Sequence, residues 1–127
     1  MIYRHQAIQL VRQFIEEVLS TEEWYKSVKS HVKALLLYGS VTKGTNTEES
    51  DIDVLLILPL KVEKKYAKGE YFYNYNGYTI NIVLRSIERL RKISKEDNDN
   101  FQKEIFRDSV IVEVKDNEIE RLLDRMR

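Results

Sequence analysis

Three features of this 127-residue sequence predict an α/β fold, with a small mixed β-sheet and helices packed on one face. Segments with apolar residues at helical spacing alternate with short apolar runs of strand length, the pattern of a layered α/β domain. Two of those runs, VKALLLY up to Tyr38 and VLLILPL from Val54, flank a polar, glycine-containing stretch. An Asn76-Gly77 pair also divides two segments of alternating polarity, which is a strong hairpin signal.

Taken in order, residues 3–19 carry Ala7, Ile8, Val11, Phe14, Ile15, Val18 and Leu19 at helical spacing. Ser20 and Glu23 have capping-box spacing, which predicts a second short helix holding Trp24, Tyr25 and Val28. Trp24 is expected in the core or at an interface, and His5 and His31 stand without sequence partners. Strands are predicted over Lys33–Tyr38 and Ile52–Leu58, with Pro59 ending the second and Lys61–Gly69 forming a charged connection. A two-residue turn at Asn76-Gly77 pairs Tyr75 with Tyr78, Tyr73 with Ile80 and Tyr71 with Ile82. Alternation then puts Tyr71, Tyr73, Tyr75, Tyr78, Ile80, Ile82 and Leu84 on the helix-covered face. Glu70, Phe72, Asn74, Thr79, Asn81, Val83 and Arg85 fall on the other. Ser86 caps a helix reaching about Lys95, Glu96–Asn100 is a polar break, and Phe101–Arg107 adds a helical turn or two. Val110–Val114 reads as a last strand, and Asn117–Met126 as a closing helix with Ile119, Leu122, Leu123 and Met126 inward.

Composition excludes several classes. The length suits one domain, residues 1–127. Twenty-one Lys and Arg balance twenty-one Asp and Glu, without the basic excess of nucleic-acid modules, so a nucleic-acid polymer is not the expected ligand. Without cysteine there is neither a disulfide framework nor a thiolate metal site. The longest apolar run, Val54–Leu60, is seven residues and contains Pro59, whereas a membrane span needs about 20. With no signal-peptide pattern at the amino terminus, the expectation is a soluble, cytoplasmic protein.

The chemistry concentrates between Leu35 and Leu58. Gly39 and Ser40 follow the first strand, Lys43-Gly44 comes next, and Ser50-Asp51-Ile52-Asp53 opens the second strand. At usages near 7% or less, the pattern at Gly39, Ser40, Gly44, Ser50, Asp51 and Asp53 agrees by chance in about one window in 10⁷. Strand alternation points Asp51 and Asp53 the same way. Two neighbouring carboxylates repel unless a cation lies between them, and an oxygen-only site of this kind suits Mg²⁺ with substrate phosphates as its other ligands. Gly39 lets the backbone turn sharply and approach a phosphate; Ser40 adds a hydroxyl and, at a helix start, free amides.

This stretch resembles the signature of the DNA polymerase β-like nucleotidyltransferase superfamily, and the chain is most similar to its minimal nucleotidyltransferase branch. The resemblance implies a nucleotidyltransferase-like fold and transfer of a nucleoside monophosphate from an NTP, with ATP the expected donor and Mg²⁺ held by three carboxylates. Asp51 and Asp53 match the first two. Gly39, Ser40, Lys43, Gly44 and Ser50 match the nucleotide-binding positions, with Lys43, a point charge, where the family often has arginine's planar fork. The third acid should lie on a later strand, where this chain has Asn81 in Ile80-Asn81-Ile82-Val83. Asparagine offers a carbonyl oxygen but no charge and is no general base. Glu70, opposite Val83 and diagonal to Asn81 in the hairpin, is a candidate replacement. Arg85 shares that face and could meet a phosphate, and Phe72 could stack a base. Two functions stay open: an active transferase acting on a hydroxyl, including one on a partner protein, or an antitoxin-like binding subunit neutralising an all-helical partner ribonuclease. A homo-oligomer also stays open. An antibiotic-modifying transferase is disfavoured, because those enzymes carry a further helical domain.

Overall fold

The structure, a computed structural model, describes residues 2–66, 70–96 and 100–127. Five strands form one mixed sheet: β1 (Ala34–Tyr38), β2 (Ile52–Leu58), β3 (Glu70–Tyr75), β4 (Tyr78–Ser86) and β5 (Val110–Val114). Their spatial order is β3-β4-β2-β1-β5. β2 pairs in parallel with β4 and antiparallel with β1, while β3 and β5 run antiparallel to β4 and β1. The hairpin has the predicted register, with Tyr75 opposite Tyr78 and Glu70 opposite Val83. Asn76 (φ 50°) and Gly77 (φ 82°) supply the two positive φ angles that a type I′ turn requires.

The α-helices of the described residues are α1 (Arg4–Glu17), α2 (Glu23–Val28), α3 (Ser40–Lys43), α4 (Leu60–Tyr66), α5 (Ile87–Ser94), α6 (Phe101–Arg107) and α7 (Asn117–Met126). The α/β class and the small mixed sheet are those the sequence predicts. The helices, expected on one face, cover both. On the first face Leu35, Leu37, Val54, Leu56, Ile80 and Ile82 pack with Ala7, Val11 and Phe14 of α1 and Val28 of α2. On the second, Leu36, Leu55, Ile57 and Val83 pack with Ile87 and Leu90 of α5, Phe106 of α6, and Ile119 and Leu123 of α7. The physical reason is that β1 and β2 are apolar on both sides, and a central strand buries both of its faces.

Two local expectations are corrected. Ser20 does not cap α2: it lies in a 3-10 turn (Leu19–Thr21), and its hydroxyl donates to the Glu16 carbonyl at 2.6 Å. That carbonyl, at the C-terminal end of α1, lacks an intrahelical donor, and Ser20 satisfies it. Residues 60–66 are not an irregular connection but helix α4. The Pro59 carbonyl accepts from the Val62 and Glu63 amides at 3.0 and 3.1 Å, and Val62 is buried; the rest of the expected connection lies outside the described residues. Ser86 caps as predicted, accepting from the Arg89 amide at 3.0 Å at the start of α5. Trp24 stacks on Tyr71 with ring centroids 4.0 Å apart and donates to the Tyr73 hydroxyl at 2.7 Å.

The tyrosines of the first face make the fold sensitive to alkali. Burial pushes Tyr73 up to about 12, with nearby Glu22 adding to the shift and the Trp24 hydrogen bond opposing it. Tyr25 and Tyr71 are raised chiefly by burial. Tyr75 is raised chiefly by its hydrogen bond to Glu17. A group whose pKa is higher folded than unfolded contributes stability that is whole below its unfolded pKa and fades as pH climbs to the folded one. Urea unfolding should therefore show stability constant toward pH 10 and falling between pH 10 and about 12, with a shallower fall in Tyr73→Phe.

Candidate functional site

The site begins where β1 ends. Gly39 has φ 83° and ψ −156°, a region almost closed to residues with a side chain. A Cβ at this position would lie 2.5 Å from Oδ2 of Asp53, so the turn passes directly against that carboxylate. Three groups close the turn on the Gly39 carbonyl: the Thr42 amide at 3.1 Å, the Lys43 amide at 3.3 Å and the Thr42 hydroxyl at 2.7 Å. Gly44 ends α3 with φ 72° and open space around it, so backbone conformation alone asks for glycine there. The amino-terminal segment holds this loop from behind. Arg4 donates to the Thr42 carbonyl at 2.5 Å, and the buried Asn46 amide donates to the Ile2 carbonyl at 2.8 Å.

Register assembles the rest. Tyr38 of β1 lies opposite Asp53 of β2, Asp53 beside Asn81 of β4, and Asn81 opposite Phe72 of β3. These four residues form one row across four strands on the second face of the sheet. Asp51, exposed, precedes β2 by one residue and shares the face of Asp53 by alternation. Asn81 is only 6% exposed. Its Nδ2 donates to Oδ1 of Asp53 at 3.4 Å, a long hydrogen bond, while its own Oδ1 is buried with no hydrogen-bond partner. An orphaned buried oxygen beside the Asp53 carboxylate is an unsatisfied acceptor next to a negative charge, which a cation would satisfy. Among the described residues no group of three or more His, Cys, Asp or Glu stands ready for a metal, so two aspartates and an asparagine oxygen are the donors available.

The remaining predicted positions divide. Gly39 and Asn81 are both brought against Asp53, while Asp51, one residue before β2, is exposed and has no cross-strand partner among the described residues. Ser50 accepts from the Thr47 amide at 2.8 Å and shapes the turn that delivers Asp51. Lys43 reaches α6, where it pairs with Glu104 at 2.9 Å. Arg85 lies four residues beyond Asn81 on β4, about 13 Å along the strand, and donates to the Leu84 carbonyl at 2.9 Å. Glu70 opens β3 opposite Val83, and its side chain lies outside the described residues. Two contributors escape sequence reasoning. Tyr38 enters the row only once β1 is known to pair antiparallel with β2, and α6 reaches the loop only through tertiary packing.

No helix of the described residues is long and apolar enough to cross a membrane. No curated protein matches the chain. Solved structures of similar fold include a nucleotidyltransferase-like protein from Exiguobacterium sibiricum, at 11% sequence identity and a TM-score of 0.61. That likeness covers 94% of this chain and 38% of the other, so this chain spans well under half of that protein's length. At such identity it speaks to fold alone. The model of the nucleotidyltransferase domain family matches residues 11–118, from within α1 into α7, and takes in the Gly39 turn, both aspartates and Asn81. The chain belongs to the nucleotidyltransferase domain family.

Proposed function

We propose that the chain is a Mg²⁺-dependent nucleotidyltransferase that moves a nucleoside monophosphate from an NTP, with ATP the expected donor, to a hydroxyl acceptor. The observation that carries the reading is the Gly39 backbone pressed against the Asp53 carboxylate, with the orphaned Asn81 oxygen beside it. Asp51, Asp53 and the Asn81 carbonyl oxygen would hold the cation, a hard oxygen set that suits Mg²⁺. When bound, Mg²⁺ neutralises charge on the phosphoryl oxygens and makes a hydroxyl easier to deprotonate. Gly39 leaves the space above Asp53 free of side chain, so the donor's phosphates can approach the backbone. The Ser40 hydroxyl, with the Ser40 and Val41 amides that open α3, donates to phosphate oxygens. Lys43 and Gly44 shape and charge the far side of the loop, and Ser50 fixes the turn before Asp51. Glu70, diagonal to Asn81, is the proposed source of the third negative charge.

The neutral Asn81 favours a second reading. Without a third carboxylate the site would bind nucleotide and not transfer it, as an antitoxin-like subunit neutralising an all-helical ribonuclease would. Incubation with α-labelled NTPs, Mg²⁺ and candidate acceptors separates the two. Label on an acceptor supports the enzyme; Mg²⁺-dependent binding with no labelled product in any combination supports the binding subunit.

Three variants test the roles. Asp51→Asn combined with Asp53→Asn removes the charge that holds the cation, so calorimetry should show Mg²⁺-dependent NTP binding abolished. Equal affinity with and without Mg²⁺ in the native protein would contradict the metal site. Gly39→Ala should lose about 1–3 kcal/mol of stability to backbone strain alone. It should also lose NTP binding, because the methyl group would occupy the space beside Asp53. Asn81→Asp sets a second carboxylate beside Asp53 and replaces a donor by a like charge. Its melting temperature should fall in EDTA and rise with Mg²⁺ by more than the native protein's does. If the enzyme reading holds, turnover should rise toward the 10²–10⁴-fold that general-base help contributes.

A further inference from the structure

We infer that the cavity between α6 and the second face of the sheet is the subsite for the base of the nucleotide, with Arg85 its polar contact. This deepens the nucleotidyltransferase reading and rests on it. The cavity holds about 170 Å³ and is walled by Tyr38, Leu55 and Arg85 from the sheet and by Phe101, Gln102 and Ile105 from α6. An engineered apolar cavity of about 150 Å³ admits a benzene ring. This one therefore has room for a planar base entering edge-on through its open side, and none for a whole nucleotide.

Its position relative to Asp53 is that of a base to its phosphates. Tyr38 is the direct cross-strand partner of Asp53, and Leu55 lies two residues further along β2 on the same face. Two residues of strand cover about 6–7 Å, the distance a ribose has to span. With the triphosphate beside the Gly39 turn, the nucleoside would run along β2 toward α6. The wall chemistry agrees. Tyr38 and Phe101 offer aromatic surface, and Phe101 is 75% exposed, so its ring is open for a base to stack on. Arg85 is a donor-only group whose one hydrogen bond among the described residues is to the carbonyl of its neighbour. Its remaining N–H groups, at an otherwise largely apolar wall, would meet the carbonyl or ring-nitrogen acceptors on a base edge. Arg85 thus reads the base and does not contact the phosphates, which agrees with its distance along β4 from Asn81.

Calorimetry with the four common NTPs and with inorganic tripolyphosphate, all in Mg²⁺, tests this on the full chain, and circular dichroism checks the fold of each variant. Gln102→Trp fills the cavity from the exposed side of α6 and decides the site; Arg85→Ala tests the guanidinium. Stacking a base on aromatic side chains contributes enough for about a tenfold or greater effect. Kd for the preferred NTP should rise about tenfold or more in Gln102→Trp and to a smaller extent in Arg85→Ala, with Kd for tripolyphosphate unchanged in both. Unchanged NTP affinity in Gln102→Trp would overturn the inference. So would a parallel loss of tripolyphosphate, since the cavity would then be serving phosphate. A native protein that binds neither ligand would overturn the nucleotidyltransferase reading itself, and the base subsite with it.

Discussion

The close approach of the Gly39 backbone to the Asp53 carboxylate is the constraint around which the site is arranged. Because Tyr38 pairs with Asp53, the chain leaves β1 at the point where it must turn over that carboxylate. Only a residue without a side chain fits, since a Cβ would stand 2.5 Å from Oδ2. The turn therefore delivers the first residues of α3 next to that carboxylate. Hydrogen bonds from Thr42, Arg4 and Asn46 hold the loop in place at both its front and back. The amino-terminal segment, far from the aspartates in sequence, is thereby part of what keeps the turn rigid.

The central position of β2 explains why the site lies where it does. With β1 on one side and β4 on the other, β2 buries Val54, Leu56 and Leu58 on the first face and Leu55 and Ile57 on the second. Those residues are tied up in two apolar layers. Polar chemistry is tolerated at the amino-terminal end of the strand, where the helices of the second face give way and the row of Tyr38, Asp53, Asn81 and Phe72 meets solvent at the β3 edge, Phe72 being 57% exposed. Rigid strands on either side fix the spacing of the row, which is the condition for pre-organised electrostatics.

Stability comes from the layers more than from the charges. Burying one large aliphatic side chain contributes about 1.5–3 kcal/mol, and Leu35, Leu36, Leu37, Leu56, Ile57 and Leu58 are each almost completely buried. An exposed pair such as Lys26 with Glu23 contributes about 0–1 kcal/mol. The bidentate pair of Arg91 with Glu118, at 2.6 and 2.8 Å, has the better geometry and joins α5 to α7, setting their relative position. The same ordering applies at the loop. Lys43 with Glu104 is half-exposed and adds little energy, yet it links the turn to α6 and so to the cavity that α6 covers.

By itself the sequence determined the local elements and the ingredients of the site, because both follow from short-range rules. Alternation put Asp51 and Asp53 on one side, Asn76-Gly77 set the hairpin register to the residue, and apolar spacing marked α1, α5 and α7. It also singled out Asn81, the residue that β4 sets beside Asp53. Only the tertiary structure decided what depends on pairing between distant strands. The parallel match of β2 with β4 sets Asn81 beside Asp53, 28 residues away in sequence. The antiparallel match with β1 brings Gly39 against the same carboxylate and adds Tyr38 to the row. Helices on the second face were equally hidden, because an apolar run reads the same whether one or both of its sides are covered. Ser20 shows the limit in miniature: its spacing fits a cap, but the nearest unsatisfied group in space was the carbonyl of Glu16. Local chemistry writes the candidates, and long-range register, which no local pattern encodes, chooses among them.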